Sequence, residues 1–181
     1  MNAEEKRRMR GKEAGMIFQE PGASLNPVFT AGEQIEETLL AHFPGMKKQE
    51  LKAKAMKSLA EAGVGEAGRV YTAYPHQLSG GLQQRVMIAA ALCCGPAVLI
   101  ADEPTTALDM TVQARIIRQI KKLQKEKKLT LVLITHDLHL ALELAEMIII
   151  MYAGEVVEQG KICLLYTSPS PRDRTRSRMP S

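Results

Sequence analysis

The segment Val98-Leu99-Ile100-Ala101-Asp102-Glu103-Pro104 sets two carboxylates at the end of a short apolar run. A buried strand ending in acids delivers them to the carboxyl edge of a sheet, where open α/β folds hold their ligands. Asp102 is a candidate Mg²⁺ ligand, directly or through water, because this hard cation takes oxygen donors. Glu103 is a candidate general base for a water attacking a γ-phosphate. The same pair also reads as an ordinary strand end with two solvated acids. Upstream, Ser79-Gly80-Gly81 precedes the apolar, Ala-rich stretch Val86 to Leu92. Its hydroxyl and closely approachable N–H groups suit an anion at the positive end of a helix dipole, although a Ser N-cap with a flexible turn is the commoner meaning. His136 follows the apolar run Leu131 to Ile134 and could hydrogen-bond a γ-phosphate and the attacking water. A lone His in that place is more often structural. Gln19 follows Met16-Ile17-Phe18, where its neutral amide could reach a metal's ligand sphere or a water; alone it carries no meaning.

The elements that must position these groups are legible from pattern. Gly15 to Phe18, Ala97 to Ala101, Leu131 to Thr135 and Met147 to Tyr152 read as strands by their short apolar character and flanking breakers. The middle two do not alternate, which predicts strands covered on both faces of a parallel sheet. Between them, Thr111 to Lys127 aligns Val112, Ile116, Ile120 and Leu123 on one helical face, with Arg and Lys opposite. Strand, helix, strand is a crossover unit, so the core is α/β. Ala153-Gly154 turns the fourth strand into Glu155 to Glu158, a terminal hairpin. Residues 30 to 78 have a different texture: Ile35 with Leu39, and Leu51 with Ala55 and Leu59, mark helices punctuated by Pro44-Gly45 and Gly63 to Gly68. This predicts a helical subdomain inserted in the α/β core, which resumes at 79 to 162. Tyr166 to Ser181 is Ser, Pro and Arg, a disordered composition.

Composition narrows the function classes. With 181 residues, 45% hydrophobic and 24% charged, there is material for one sizeable core and little room for two full domains. Seven aromatics, none of them Trp, argue against a base-stacking module or a membrane barrel. The apolar run Met147 to Tyr152 is far short of the roughly 20 residues that span a bilayer. The charged start, Met-Asn-Ala-Glu-Glu-Lys-Arg-Arg, has no secretory signal character. Cys93 and Cys94 adjoin in an apolar stretch and Cys163 stands alone, so no metal-ligand spacing exists and reduced thiols are expected. Of the net charge of +4, residues 163 to 181 carry +3, which leaves +1 for the rest. No nucleic-acid partner is indicated.

Taken in order, FQEP around Gln19, LSGG at 78 to 81, ADEPTTALD at 101 to 109 and THD at 135 to 137 resemble the Q-loop, signature, Walker B with D-loop, and H-loop of ABC-type ATPases. The resemblance covers about residues 10 to 162. FQEPGASLNPVFTAGEQI, YPHQLSGG, EPTTALDMTVQARI and MYAGEVVEQG look like the ATP-binding subunits of bacterial dipeptide, oligopeptide and nickel importers. The resemblance implies a P-loop NTPase-like parallel core, here incomplete, and ATP with Mg²⁺ as cofactors. It implies catalysis by Glu103 and His136 on this subunit's own nucleotide, a metal held by Asp102 and Gln19, and Gln19 at the nucleotide. Ser79, Gly80 and Gly81 would contact ATP held by a second ATPase subunit in a head-to-tail dimer, with Asp109 at the dimer interface. The pair is expected to be heterodimeric. Residues following Gln19, through the helical subdomain, would receive a coupling helix from transmembrane permease subunits. These are fed by an extracytoplasmic solute-binding protein, and the ATPase sits at the cytoplasmic face of the membrane.

Two departures qualify the resemblance. The phosphate loop G-x-x-x-x-G-K-[S/T] is absent: of the two Gly-Lys pairs, Gly11-Lys12 has Lys6 and Glu13, and Gly160-Lys161 has Glu155 and Ile162, where the motif needs Gly and a hydroxyl. The expectation is an N-terminally truncated domain, inactive alone. Residues 163 to 181, CLLYTSPSPRDRTRSRMPS, lack family character and resemble translated adapter sequence; an Arg-rich tail binding anionic lipid or nucleic acid is the alternative. Two other functions compete: an ABC-type ATPase acting without a membrane partner, and a noncatalytic ABC subunit serving as an interaction module. The first would bring coiled-coil heptads or a basic folded face. The second gains from the missing loop and loses from the presence of both Glu103 and His136.

Overall fold

The structure is a computed structural model and describes Asn2, Glu5, residues 9 to 106 and residues 108 to 162. The expected tail beyond 162 lies outside the described residues. Two compact units divide the chain, residues 1 to 136 and 137 to 181.

In the first unit, β1 (Ala14–Ile17), β2 (Val98–Asp102) and β3 (Thr130–Ile134) form a parallel sheet in the order β1-β2-β3. Ile17 pairs with Ala101, and Asp102 with Ile134. The predicted strands are therefore present, each within a residue or two of its expected bounds. The expectation that β2 and β3 are covered on both faces does not hold for β3. Leu131 and Leu133 face the core, whereas Val132 and Ile134 are 45% and 50% exposed. An apolar run permits burial on both faces but does not supply the elements that cover them.

The helices are α1 (Pro21–Ser24), α2 (Ala31–His42), α3 (Lys48–Glu61), α4 (Ala67–Thr72), α5 (Gly80–Leu92) and α6 (Met110–Lys127). Thr30 and Glu33 start α2 with a reciprocal capping box. Ile35 and Leu39 of α2, and Leu51, Ala55 and Leu59 of α3, are buried as their spacing predicts. On α6, Ile116, Ile120 and Leu123 are buried as expected, and Ile117 joins them. The carbonyls that end α3 are satisfied from outside the helical segment. Arg85 Nη1 donates to Ala62 O and Gly63 O at 2.9 and 3.2 Å, the Gln119 amide donates to Glu61 O, and Lys127 pairs with the Glu61 carboxylate at 2.7 Å. Those donors belong to α5 and α6, so the helical segment and the sheet-bearing core share polar ties as well as apolar packing.

The second unit holds α7 (Leu138–Leu144) and an antiparallel hairpin of β4 (Met147–Tyr152) and β5 (Glu155–Lys161) about Ala153-Gly154. The hairpin matches its expectation, and β5 runs three residues longer.

Gly15 fixes how closely β1 approaches α5, because a Cβ there would lie 2.3 Å from the Ala91 carbonyl oxygen. Gly15→Ala is expected to destabilise the fold by about 1–3 kcal/mol through forced displacement of strand or helix, lowering the melting temperature by several degrees. Gly45→Ala, with nothing within 4 Å of its added methyl, should leave the melting curve nearly unchanged. Equal melting temperatures for the two variants would show that the β1–α5 contact is not tight.

Candidate functional site

The parallel register brings three sequence-distant groups to one edge. Gln19 lies two residues past the end of β1, Glu103 follows β2 directly, and His136 lies two residues past β3. Neighbouring parallel strands stand only about 4.8 Å apart, so side chains leaving that edge can meet. They do meet on the Glu103 carboxylate. Gln19 Nε2 donates to Oε2 at 2.9 Å, the Thr106 hydroxyl donates to Oε2 at 2.8 Å, and His136 Nδ1 lies 2.9 Å from Oε1. An ionised carboxylate only accepts, so the proton of the last bond sits on Nδ1, and Nε2 is left on the opposite edge of the ring. The Glu103 side chain is 23% exposed and that of His136 79%. The hydrogen bond from His136 is the largest influence holding the Glu103 carboxyl below the usual carboxylate range, and those from Thr106 and Gln19 act in the same direction.

The backbone at Glu103 is unusual. Its φ of +43° is in the left-handed region, which costs a residue with a Cβ roughly 1–2 kcal/mol. Its N–H donates to Ile134 O at 2.9 Å, and its carbonyl accepts from Thr106 N at 3.1 Å. Beneath this turn, the Gln84 amide donates to Pro104 O at 2.7 Å from a side chain only 1% exposed. That bond ties α5 to the turn carrying Glu103. Thr106 and Gln84 are functional neighbours that sequence reasoning missed. Gln84 left a usable signal, since it is a polar residue one helical turn before Ile88 on the buried side of α5. Thr106 left only its place three residues after Glu103, as the second Thr of the turn.

Asp102 ends β2, half-buried, beside Glu103. Asp102, at the end of β2, and the Gln19 amide oxygen, just past β1, are hard oxygen donors of the kind that hold Mg²⁺ together with water and phosphate oxygens. Among the described residues no group of three or more His, Cys, Asp or Glu forms a protein-only metal site.

Ser79 stands at the N-cap of α5 with extended backbone (φ −64°, ψ 156°), and its side chain makes no capping hydrogen bond. Its carbonyl accepts from Leu82 N and Gln83 N. The simple Ser N-cap reading is therefore not what the hydroxyl does, and the first N–H groups of α5 have no partner within the helix. Gly81 has a packing reason of its own: a Cβ there would lie 2.8 Å from Val112 Cγ1 on α6. Gly80 is exposed, and a Cβ there would make only ordinary contact with Leu108. Asp109 is the N-cap of α6, its carboxylate accepting from Val112 N at 2.9 Å, and it is exposed. The structure thus brings Gln19, Glu103 and His136 into direct contact, sets Asp102 beside them, and places Ser79 to Gly81 and Asp109 at the starts of α5 and α6.

Residues 1 to 106 match the family model described as ABC transporter. The glutathione import ATP-binding protein GsiA of Escherichia coli strain K12 is 50% identical over 168 residues, which are 93% of this chain and 27% of that protein. The protein of the same name from Salmonella typhi is 50% identical over 164 residues, 91% of this chain and 26% of that one. This chain therefore spans about a quarter of the length of these curated relatives. Among solved structures, the dimeric ATP-binding cassette MJ0796 in a post-hydrolysis state with ADP and Pi is 36% identical, with a TM-score of 0.77 over 90% of this chain and 68% of that one. Another dimeric structure of MJ0796, described as a bacterial ABC transporter cassette, is 37% identical with a TM-score of 0.78 and the same coverages. With more than half of its residues inside that family model, and with solved ABC cassettes among its relatives, this chain belongs to the ABC transporter family.

Proposed function

We propose that this chain is part of an ATP-hydrolysing subunit that powers import of a peptide-like solute, such as glutathione or a short peptide, or of nickel, through a membrane permease. The observation that carries this reading is the Glu103 carboxylate gripped by Gln19, Thr106 and His136 at the carboxyl edge of the sheet. A carboxylate offers about four lone-pair positions. Three are occupied here, and one remains for a water. Glu103 would take the proton of that water as it attacks a γ-phosphate, while His136, fixed through Nδ1, presents its other ring edge to the phosphate. Mg²⁺ held by Asp102 and Gln19 would neutralise charge developing on the phosphates. Ser79, with its uncommitted capping position, and Gly80 and Gly81 would meet ATP held by a second ATPase subunit in a head-to-tail dimer, with Asp109 at that interface. The dimeric state of the related MJ0796 cassettes, one of them with ADP and Pi, supports this arrangement.

We further propose as partners a second, different ATPase subunit, transmembrane permease subunits, and an extracytoplasmic binding protein acting through the permease; the import role in the relatives' names favours this reading. Among the described residues no helix is long and apolar enough to cross a membrane. In the proposed assembly the permease holds the subunit at the cytoplasmic face, docking on residues following Gln19 and on the helical segment 30 to 78. The α/β part at 79 to 162 carries the signature, the acids and His136.

The 181 residues contain no G-x-x-x-x-G-K-[S/T], so they bring no N–H cradle or Lys of that kind to the β- and γ-phosphates. The 181-residue polypeptide is expected to bind ATP weakly and release phosphate at background rate. Placed behind a phosphate loop of the family it should hydrolyse ATP, and Glu103→Gln should then slow hydrolysis by about 10²–10⁴-fold while ATP still binds. Robust hydrolysis by the 181-residue polypeptide would overturn the first expectation. Undiminished hydrolysis by the Glu103→Gln form would overturn the base assignment.

The lowered Glu103 carboxyl also has a definite sign. Hydrogen bonds to the ionised form are fully in force above about 4.3, the unperturbed glutamate value, and are lost as pH falls through the lower folded value. In a ¹³C NMR titration, Glu103 should therefore show its midpoint below that value, and His136→Ala should move the midpoint up towards it. An unmoved midpoint in His136→Ala would mean that the imidazole does not hold the carboxylate in solution.

A further inference from the structure

Cys93 and Cys94 adjoin at the C-terminal end of α5, the opposite end from Ser79 to Gly81. Their sulfurs lie 3.8 Å apart. Cys93 Sγ donates to Ala90 O at 3.1 Å, and Cys94 Sγ reaches Thr38 O on α2 at 3.8 Å. Both residues are half-buried and pack against the hydrophobic core. Two sulfurs bonded at about 2.3 Å to one tetrahedral centre stand roughly 3.8 Å apart. The pair is thus already near chelating separation, and a pyramidal centre would draw it only slightly closer.

The surroundings activate one sulfur and not the other. The sulfur–sulfur contact with Cys93 lowers the Cys94 thiol, and the ammonium groups of Lys54 and Lys12 act in the same direction, against the opposing effect of burial. Both ammonium groups lie over the Phe43 ring, at 4.8 and 5.6 Å from its centroid. Cys93 is pushed up by the same sulfur contact and by burial. Of the two thiols, Cys94 is therefore the more readily ionised and the first to attack. Since no group of three or more His, Cys, Asp or Glu gathers among the described residues, Zn²⁺ would lack its usual four protein ligands. A centre satisfied by two sulfurs fits better.

We propose that Cys93 and Cys94 form a dithiol site that captures soft thiophilic electrophiles of the monosubstituted trivalent arsenic type, closing one ring through both sulfurs. With phenylarsine oxide, Cys94 attacks arsenic first and Cys93 second. Two As–S bonds form, the arsenic–oxygen bond and both S–H bonds break, and the oxygen leaves with the two protons as one water. Arsenic stays trivalent, so no oxidant or reductant is needed.

The test uses the 181-residue chain with Cys163→Ser to remove the third thiol, phenylarsine oxide as probe, and intact mass as readout. One adduct per chain is expected. It should persist in excess 2-mercaptoethanol and be removed by the dithiol 2,3-dimercaptopropanol. Cys93→Ser and Cys94→Ser should each weaken capture at least tenfold and leave an adduct that the monothiol strips. An adduct stripped by monothiol from the chain with both cysteines would overturn the proposal, as would a monothiol-resistant adduct on either single variant. Should a variant fail to fold, the chain with both cysteines decides by titration with and without denaturant. At least tenfold tighter capture by the folded chain supports the preset geometry, and equal capture overturns it.

Discussion

The site depends first on the parallel pairing of β2 with both β1 and β3. With Ile17 opposite Ala101 and Asp102 opposite Ile134, three strand ends finish at the same level. Gln19, Glu103 and His136, 84 and 33 residues apart along the chain, thereby come within hydrogen-bonding distance. A shift of β3 by one residue would turn Leu131 and Leu133 away from the core and carry His136 off the carboxylate together. Core packing and site geometry therefore enforce the same register. The apolar residues that hold the sheet do so from its buried side, leaving the edge free for polar groups.

A second layer of ties joins this edge to the helices. Gln84 reaches from α5 to the Pro104 carbonyl, one of the few polar side chains among the described residues that is wholly buried. Loss of the amide would strand a buried acceptor directly behind Glu103, and stranding costs more than the bond itself contributes. The next residue on α5, Arg85, faces the other way and closes the C-terminal carbonyls of α3. Adjacent side chains on one helix thus hold the Glu103 turn and the helical segment. Movement of α5 would be felt at both, which is a physical route for coupling between the helical segment and the sheet edge that carries Glu103.

Much of this was legible in the sequence because apolar periodicity records which faces are buried. Ile35, Leu39, Leu51, Ala55, Leu59, Ile116, Ile120 and Leu123 all lie where their spacing predicts. The four motif segments also located the edge residues, since strand ends are marked by the change from apolar to polar types. What the pattern could not carry was partnership across the fold. Thr106 and Gln84 act on Glu103 and its turn through contacts that exist only once β2, α5 and the following turn are assembled. Val132 and Ile134 fail in the opposite sense: their side chains suit burial, but burial needs a neighbour, and a strand's own sequence does not encode one. Asp109 shows that an exposed acid read as a contact residue can have a local purpose, since here it caps the start of α6.

The backbone at Glu103 discriminates between the two meanings open for the Asp102-Glu103 pair. A solvated acid at a strand end has no reason to enter the left-handed region, because water accepts any rotamer and an extended backbone costs nothing. At +43° the residue carries a conformational cost of roughly 1–2 kcal/mol. That conformation persists only where the surroundings determine it from several sides. Here the N–H is held by Ile134, the carbonyl by Thr106, the following turn by Gln84, and the carboxylate by three donors. The result of that expenditure is a single carboxylate aimed at one point and kept ionised with one lone-pair position to spare. Strain concentrated on a residue whose side chain is so fully oriented sets Glu103 apart from an incidental surface acid.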